Sequence, residues 1–289
     1  MNPTIHVYPG DDLQAILDLA PEGAVIVLAP GTYRGKLVLR TRGLTLIGAG
    51  KQQTQLVFGD HARKQHAIGG EYNTFRTYTL AVCADDVTIR ELAVVNDALQ
   101  PEIKGQEVAL SVLGDRFTME NCRLTSTQDT LFAGPLPDDL IGRYEGFLDD
   151  PLRRGGILRQ HYKNCLIEGT VDFIFGCGQA LFESCEIRSL VDARDCGYVA
   201  APAHELRQAE GFTFRRCQFT CQAGVTPGSI YLARPWRDHG LCRFEDCQYE
   251  SHIAAVGFDK WSGTNRDQTA RFYESPPLPG RVSWVNRTY

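Results

Sequence analysis

The chain has 289 residues, of which 43% are hydrophobic and 22% are charged, and its formal net charge is −5. This is the composition of an ordinary globular protein, and no stretch is apolar over the length needed to cross a bilayer, so a membrane protein is excluded. The acidic balance argues against nucleic acid as a partner, because proteins that bind it usually have a basic patch.

The N-terminal segment predicts one short helix and no export signal. Residues Met1–Gly10 contain no positively charged stretch followed by an apolar core, so we expect a cytoplasmic protein, or a secreted one if the native signal is absent from this sequence. Asp11 or Asp12 is a suitable N-cap for a helix with apolar residues at 13, 16, 17 and 19, ending before Pro21. We predict that this helix covers the N-terminal end of the fold.

Short β-rich segments follow the helix and repeat one local frame. Residues 25–38, with a turn at Pro30-Gly31, form the first of these segments. In five later segments an apolar residue stands two or three places before a cysteine, and another stands two places after it. Residues 87–94 fit this frame with Leu92 in place of the cysteine, and residues 43–48 resemble a degenerate copy. The five cysteines of the frame are Cys122, Cys165, Cys185, Cys217 and Cys247.

Repetition at intervals of roughly 20 to 45 residues, without helices between the strands, is typical of a solenoid. We predict an all-β chain that forms one parallel β-helix domain over residues 1–289. The five cysteines then stack as an internal ladder of small apolar side chains. Disulfide or metal chemistry is the alternative for these thiols, although a single repeated frame is difficult to arrange as pairs. Reduced thiols also agree with a cytoplasmic location.

One long segment interrupts the repeat. It covers about residues 134–157 and is rich in proline, glycine, aspartate and arginine. We predict an excursion loop close to whatever chemistry Asp129 performs.

Two aspartates stand out as candidates for chemistry. The chain has no Gly-x-Ser-x-Gly run, its seven histidines lack metal-ligand spacing, and no calcium loop is present, so we expect neither metal nor cofactor. Asp129 and Asp172 have apolar neighbours, which makes ionisation costly unless the charge is paired. The alternative is that each aspartate is structural and accepts hydrogen bonds from turn amides.

Four motifs in order resemble the pectin methylesterase (pectinesterase) family of carbohydrate esterases. They are Gly105-Gln-Glu-Val-Ala-Leu110, Gln128-Asp-Thr-Leu131, Asp172-Phe-Ile-Phe-Gly176 and Leu232-Ala-Arg-Pro-Trp236. The resemblance extends from the region of Val7 to Trp284, and it implies a right-handed parallel β-helix of the pectin lyase-like kind.

The resemblance also implies a mechanism. Asp172 is expected to attack the methyl-ester carbonyl as nucleophile, and Asp129 to act as general acid and base. Arg234 is expected to orient Asp172 and favour its charge. Gln106 and Gln128 are expected to donate side-chain N–H groups to the oxyanion.

The substrate-binding residues implied by the resemblance are mostly aromatic. They are Phe132, Phe175, Trp236, Thr77 and Tyr78, and strand alternation suggests that Phe173 points inward instead. The family's glycine before the RPW arginine is Ala233 here, and a Gly-Trp pair appears as Gly257-Phe258 with Trp261 nearby. We expect three histidines to be loop or surface residues, namely His161, His204 and His239.

The predicted reaction is hydrolysis of methyl esters of homogalacturonan or oligogalacturonides by a monomer, with release of methanol. The long excursion would close one end of the groove and favour short oligomers. Two alternatives stay open at this point: another pectin-active β-helix enzyme, either a pectate lyase or a polygalacturonase, and a non-catalytic polysaccharide-binding solenoid.

Overall fold

The computed structural model describes residues 2–67, 69–98, 105–143 and 155–286. Its helices are α1 (Leu13–Leu19) and α2 (Asp138–Arg143), with 3-10 turns at Thr74–Arg76 and Arg266–Gln268. The strands, in chain order, are β1 (Thr4–Val7), β2 (Val25–Leu28), β3 (Gly31–Arg34), β4 (Leu37–Leu39), β5 (Thr45–Ile47), β6 (Thr54–Phe58), β7 (Leu80–Val82), β8 (Thr88–Arg90), β9 (Ala93–Asn96), β10 (Leu110–Val112), β11 (Phe117–Glu120), β12 (Arg123–Thr125), β13 (Leu131–Ala133), β14 (Arg159–Lys163), β15 (Leu166–Gly169), β16 (Val171–Gly176), β17 (Gln179–Glu183), β18 (Glu186–Ser189), β19 (Gly197–Pro202), β20 (Phe212–Arg215), β21 (Gln218–Cys221), β22 (Ile230–Ala233), β23 (Leu241–Glu245), β24 (Gln248–Tyr249) and β25 (Arg271–Ser275).

These strands form three sheets whose neighbouring strands are paired in parallel. Sheet A has the order β1-β2-β5-β8-β11-β14-β17-β20-β23-β25. Sheet B has the order β24-β21-β18-β15-β12-β9-β6-β3, and sheet C the order β22-β19-β16-β13-β10-β7-β4. Successive coils therefore add one strand to each sheet, which is the predicted right-handed parallel β-helix.

The corner between sheets A and B explains the repeated frame. The residue just before each ladder position has a left-handed backbone with φ between 52° and 55°, as at Asn121 before Cys122 and Asn164 before Cys165. This conformation turns the chain sharply between two short strands. The same corner recurs at Glu91, Ser184, Arg216 and Asp246.

The ladder is a packing feature, as predicted. All ten cysteines are free thiols. Each ladder thiol donates to a main-chain carbonyl of the preceding coil, for example Cys185 Sγ to Tyr162 O at 3.4 Å and Cys217 Sγ to Phe182 O at 3.2 Å. Beside the thiols, sheet A stacks aromatic rings at centroid distances of 4.7–4.9 Å. The stacked rings are Tyr162, Phe182, Phe214 and Phe244.

The predicted N-terminal helix is present as α1. The Asp12 carboxylate caps it by accepting from the Ala15 N–H at 3.0 Å, and Leu13 and Leu17 are buried. Gln14 ties the helix to β4, because its side-chain oxygen accepts from the Val38 N–H at 2.8 Å. No helix of the described residues is long and apolar enough to span a membrane. The part of the predicted excursion from 144 to 154 lies outside the described residues.

Candidate active site

Two aspartates from neighbouring coils lie beside each other on sheet C. Strands β13 and β16 pair with Leu131 opposite Ile174, which places Asp129 opposite Asp172. The Asp129 N–H donates to the Val171 carbonyl at 3.1 Å. Stacking of coils therefore brings together two carboxyl groups that are far apart in the sequence.

Both aspartates have unusual backbone conformations. Their φ angles are 64° for Asp129 and 50° for Asp172, a left-handed region that costs energy for residues other than glycine and is common at functional sites. At Asp172 the register between β16 and β19 also shifts, so two residues of β16 stand opposite one of β19. Such a bulge redirects side chains. Phe173, the other residue of the bulge, packs in the main core as predicted.

Arg234 holds the Asp172 carboxylate in a two-pronged ion pair. Its Nε lies 2.8 Å from Oδ1 and its Nη2 lies 2.6 Å from Oδ2. The backbone of Arg234 continues β22, and its N–H donates to the Ala200 carbonyl of β19 at 2.9 Å. Bidentate pairing fixes the plane of the carboxylate and favours its charged form. The structure thus brings together the pair that the sequence motifs predicted.

Two aromatic rings support the Arg234 guanidinium. Its central carbon lies 3.7 Å from the ring centroid of Tyr198 and 4.1 Å from that of Trp261. Both contacts are in the range of favourable cation–π interactions, and they limit the orientations open to the arginine. Tyr198 was not predicted from the sequence, and Trp261 was noted there only as a neighbour of Phe258.

A second arginine, Arg194, lies beside the aspartates and was not predicted from the sequence. Its Nη1 donates to Gln128 Oε1 at 2.9 Å, and its Nη2 to Thr170 Oγ1 at 3.2 Å. Asp192 accepts from the same guanidinium at 2.8 and 2.6 Å, and this pairing lowers the pKa of Asp192 to about 2. Arg194 therefore fixes the Gln128 side chain by its oxygen, which leaves the amide N–H groups for other partners.

The surroundings separate the acidities of the two aspartates. Burial raises the pKa of Asp129 well above its ordinary value, and the negative charge of Asp172 raises it further. Burial also raises the pKa of Asp172, but the hydrogen bonds and charge of Arg234 act in the opposite direction. Both residues are less than 10% exposed. Asp129 therefore keeps its proton to higher pH than Asp172 does.

Comparisons with known proteins place the chain in a family. A family model described as Pectinesterase matches residues 11–135 and 149–284. The chain belongs to the pectinesterase family. Pectinesterase 31 of Arabidopsis thaliana is 30% identical over 91% of this chain and 77% of its own length, and Pectinesterase QRT1 of the same plant is 26% identical over 94% and 68%.

Solved structures agree with the fold. Pectin methylesterase from carrot superposes with a TM-score of 0.82 at 21% identity, covering 100% of this chain and 89% of its own. Pectin methylesterase PemA from Erwinia chrysanthemi gives 0.77 at 23% identity, covering 97% and 92%. The predicted family and β-helix are confirmed, and as a pectinesterase the chain is an enzyme that hydrolyses methyl esters of pectin.

The two glutamines expected of a pectinesterase site lie on adjacent coils. The Glu107 N–H donates to the Gln128 carbonyl at 2.9 Å, so the backbone of Gln106 runs beside that of Gln128. Both glutamine side chains are partly exposed. Gln128 also hydrogen-bonds to the Asp129 carboxyl group. This bond lowers the pKa of Asp129, but burial and the charge of Asp172 raise that pKa by more.

Two of the predicted sugar-contacting residues require correction. Phe132 and Thr77 are 0% exposed, so neither presents a surface to a ligand. Phe132 packs under Phe75 and Phe175, with ring centroids 5.2 and 5.1 Å away. The Thr77 hydroxyl donates to the Thr74 carbonyl and accepts from the Val108 N–H, at 2.8 and 2.9 Å.

The other predicted groove residues differ in accessibility. Phe175 and Tyr78 are almost entirely buried in the same outer cluster, whereas Trp236 is partly exposed and meets Phe175 edge-on at 5.8 Å. Among these residues, Trp236 offers the largest accessible ring beside the aspartates.

His204 lies in a loop, as predicted, but it is not at the surface. It is buried, its Nε2 lies 3.0 Å from the Gly178 carbonyl oxygen, and its Nδ1 accepts from the Leu241 N–H at 3.1 Å. Burial lowers the pKa of His204 to about 4, so the ring is neutral at ordinary pH. It is a structural link between coils. His161 and His239 are partly exposed, as expected.

Proposed function

We propose that Asp172 is the nucleophile and Asp129 the general acid and base in the hydrolysis of methyl esters of polygalacturonate or oligogalacturonides. The observation that supports these roles best is the unequal setting of the two carboxyl groups. Asp172 is held by Arg234 at 2.6 and 2.8 Å, whereas Asp129 is buried beside a negative charge. One group is set to be ionised and the other to hold a proton.

The first half of the reaction uses both carboxyl groups. The Asp172 carboxylate attacks the ester carbonyl carbon, and the bond from that carbon to the methoxy oxygen breaks. Asp129 gives its proton to the departing methanol. The product is an acyl-enzyme in which the sugar carboxyl is joined to Asp172 as an anhydride.

The second half restores the enzyme. Asp129, now ionised, takes a proton from water as the water oxygen attacks the sugar carbonyl carbon. The anhydride bond breaks, and Asp172 returns as a carboxylate in its ion pair with Arg234. The other product is the sugar carboxyl group, which releases its remaining proton to solvent and becomes a free carboxylate, while Asp129 is protonated again for the next turnover.

The charges at the site indicate which form of the substrate it binds. Arg234 is paired with Asp172 and Arg194 with Asp192, so the reacting position favours a neutral ester over a carboxylate. We propose that methyl-esterified homogalacturonan or its oligomers bind along sheet C beside Trp236, to a monomeric enzyme. If the protein is cytoplasmic, short oligogalacturonides are the substrate available to it.

The experiment that tests this function measures two products at once. Incubation with highly methylated polygalacturonate is expected to release methanol in step with new carboxylate groups. Neither reducing ends nor unsaturated uronides should appear. New chain ends without methanol would assign the protein to glycosidic-bond cleavage instead.

The glutamines provide a second prediction. Replacement of Gln128 by alanine is expected to lower kcat for methanol release by about 10²–10³, because a pre-positioned amide donor to the oxyanion typically contributes that much. Gln106→Ala should act in the same direction. The matched control is Gln218→Ala, which alters an exposed glutamine of β21 and should leave kcat unchanged. An unchanged kcat in Gln128→Ala would remove this residue from the oxyanion site.

A further inference from the structure

Three potential metal ligands that take no part in the site described above lie together on two neighbouring coils. Cys221 is the last residue of β21, and Glu250 and His252 follow β24 on the next coil. The thiol sulfur, a carboxylate oxygen and a ring nitrogen all lie within 4.8 Å of one another. Cys221 Sγ is 3.6 Å from Glu250 Oε2, and the Cys221 N–H donates to the same oxygen at 3.1 Å.

His252 is the observation that points to a ligand. Its side chain is 1% exposed, and within the described part of the chain neither Nδ1 nor Nε2 has a hydrogen-bond partner. A buried polar group left unsatisfied costs free energy, and native proteins rarely retain one without a compensating partner. His204, the other fully buried histidine described above, satisfies both of its ring nitrogens. A metal ion would supply the partner that His252 lacks.

The backbone of the cluster is fixed by the neighbouring coils. The Glu250 N–H donates to the Phe219 carbonyl at 3.0 Å, and the His252 carbonyl accepts from the Ile230 N–H at 3.0 Å. The Ile253 N–H closes a turn on the Glu250 carbonyl at 3.2 Å. The two coils that carry the three ligands are therefore held in a fixed register.

We propose that Cys221, Glu250 and His252 bind one Zn²⁺ ion. Sulfur, imidazole nitrogen and carboxylate oxygen are the ligand types of protein zinc sites, and a water molecule would complete a tetrahedron. In such a site neighbouring ligand atoms are roughly 3.5 Å apart, and Cys221 Sγ lies 3.6 Å from Glu250 Oε2. The Cys221 thiol loses its proton to the buffer as the sulfur–zinc bond forms.

The ion would join two coils next to the start of β22. Its ligands lie on β21 and just after β24, and the turn that contains His252 pairs with the start of β22 at Ile230. Strand β22 leads directly to Arg234. The ion stabilises these last coils and takes no part in ester hydrolysis, so this proposal does not depend on the roles assigned to the aspartates.

Zinc binding to the full chain tests the site. Competition with a chromogenic chelator is expected to show one tight equivalent of Zn²⁺, and saturating zinc should raise Tm by at least about 3 °C. Cys221→Ser and Glu250→Gln should each weaken binding by more than the roughly 10–100-fold that outer partners of a metal site contribute. Co²⁺ in place of zinc should give a thiolate-to-metal absorption band that Cys221→Ser abolishes.

A matched control separates this thiol from the others. Cys196→Ser removes another partly buried thiol outside the cluster and should leave zinc affinity unchanged. Because Cys221 and Glu250 are at the surface side of the cluster, their variants should remain folded even if His252→Gln does not. Absence of a tight equivalent, or binding that survives both Cys221→Ser and Glu250→Gln, would overturn the proposal.

Discussion

Asp172→Asn is expected to reduce methanol release by about 10⁴-fold or more, as loss of the nucleophile does in other hydrolases with covalent intermediates. Asparagine has nearly the shape of aspartate, but its neutral amide cannot form the acyl-enzyme. The residual rate should be measured as methanol released per enzyme under saturating methylated substrate. A substrate with a slow second step should also yield an acyl-enzyme in the unaltered protein and none in the variant.

The same substitution affects stability, so activity must be compared in folded protein. The neutral amide of the Asp172→Asn variant would leave the Arg234 guanidinium without its carboxylate, and loss of one partner of a buried pair is destabilising. We expect a lower Tm with a single cooperative transition. Asp238→Asn is the matched control, because Asp238 is an exposed aspartate just after the motif that contains Arg234, and this variant should retain full activity. Wild-type turnover in Asp172→Asn would contradict the nucleophile assignment.

The repeated frame made the fold predictable because each copy is local. An apolar strand, a corner and a small buried side chain recur within eight residues, as in the segment that ends at Cys122 or at Cys165. Stacking of equivalent positions then determines the ladder and the three sheets. The left-handed residue before each ladder position was not identified, since residues as different as Asn164, Ser184 and Arg216 occupy it.

The site was only partly predictable, because some of its residues act through contacts between separate coils. Asp129, Asp172 and Arg234 stand in recognisable motifs, so each was identified from its own neighbours. Tyr198 and Arg194 lie outside any motif, and their roles exist only because separate coils place them against Arg234 and Gln128. Nothing in their local sequence distinguishes them from the other tyrosines and arginines of the chain.

The error at Phe132 has a clear physical cause. Along the strands of sheet C, side chains alternate between the core and the outer face, as predicted. A side chain on the outer face is not necessarily exposed to solvent. The turn at Thr74–Arg76 places Phe75 over Phe132 and Phe175, and these rings form a second apolar cluster outside the main core. A single strand pattern contains no information on which outward residues another loop will cover.

Asp129→Asn is the second large effect that we expect, with a loss of about 10²–10⁴ in kcat, the usual contribution of a positioned general acid and base. Methanol must then leave without a proton from the enzyme, and the hydrolytic water has no base. The acyl-enzyme should also persist longer, because both half-reactions need this group. Methanol release and acyl-enzyme lifetime are the two measurements.

The pH dependence gives this prediction a distinct signature. In the unaltered enzyme the rate should fall at low pH as Asp172 gains a proton, and at high pH as Asp129 loses one. The raised pKa of Asp129 means that its stabilising contribution is complete below its unfolded pKa and is lost as pH rises through the folded value. Asp129→Asn should therefore abolish the alkaline limb of activity and be at least as stable as the unaltered enzyme above neutral pH. An alkaline limb that persists in the variant would assign that titration to another group, because asparagine has no proton to lose there.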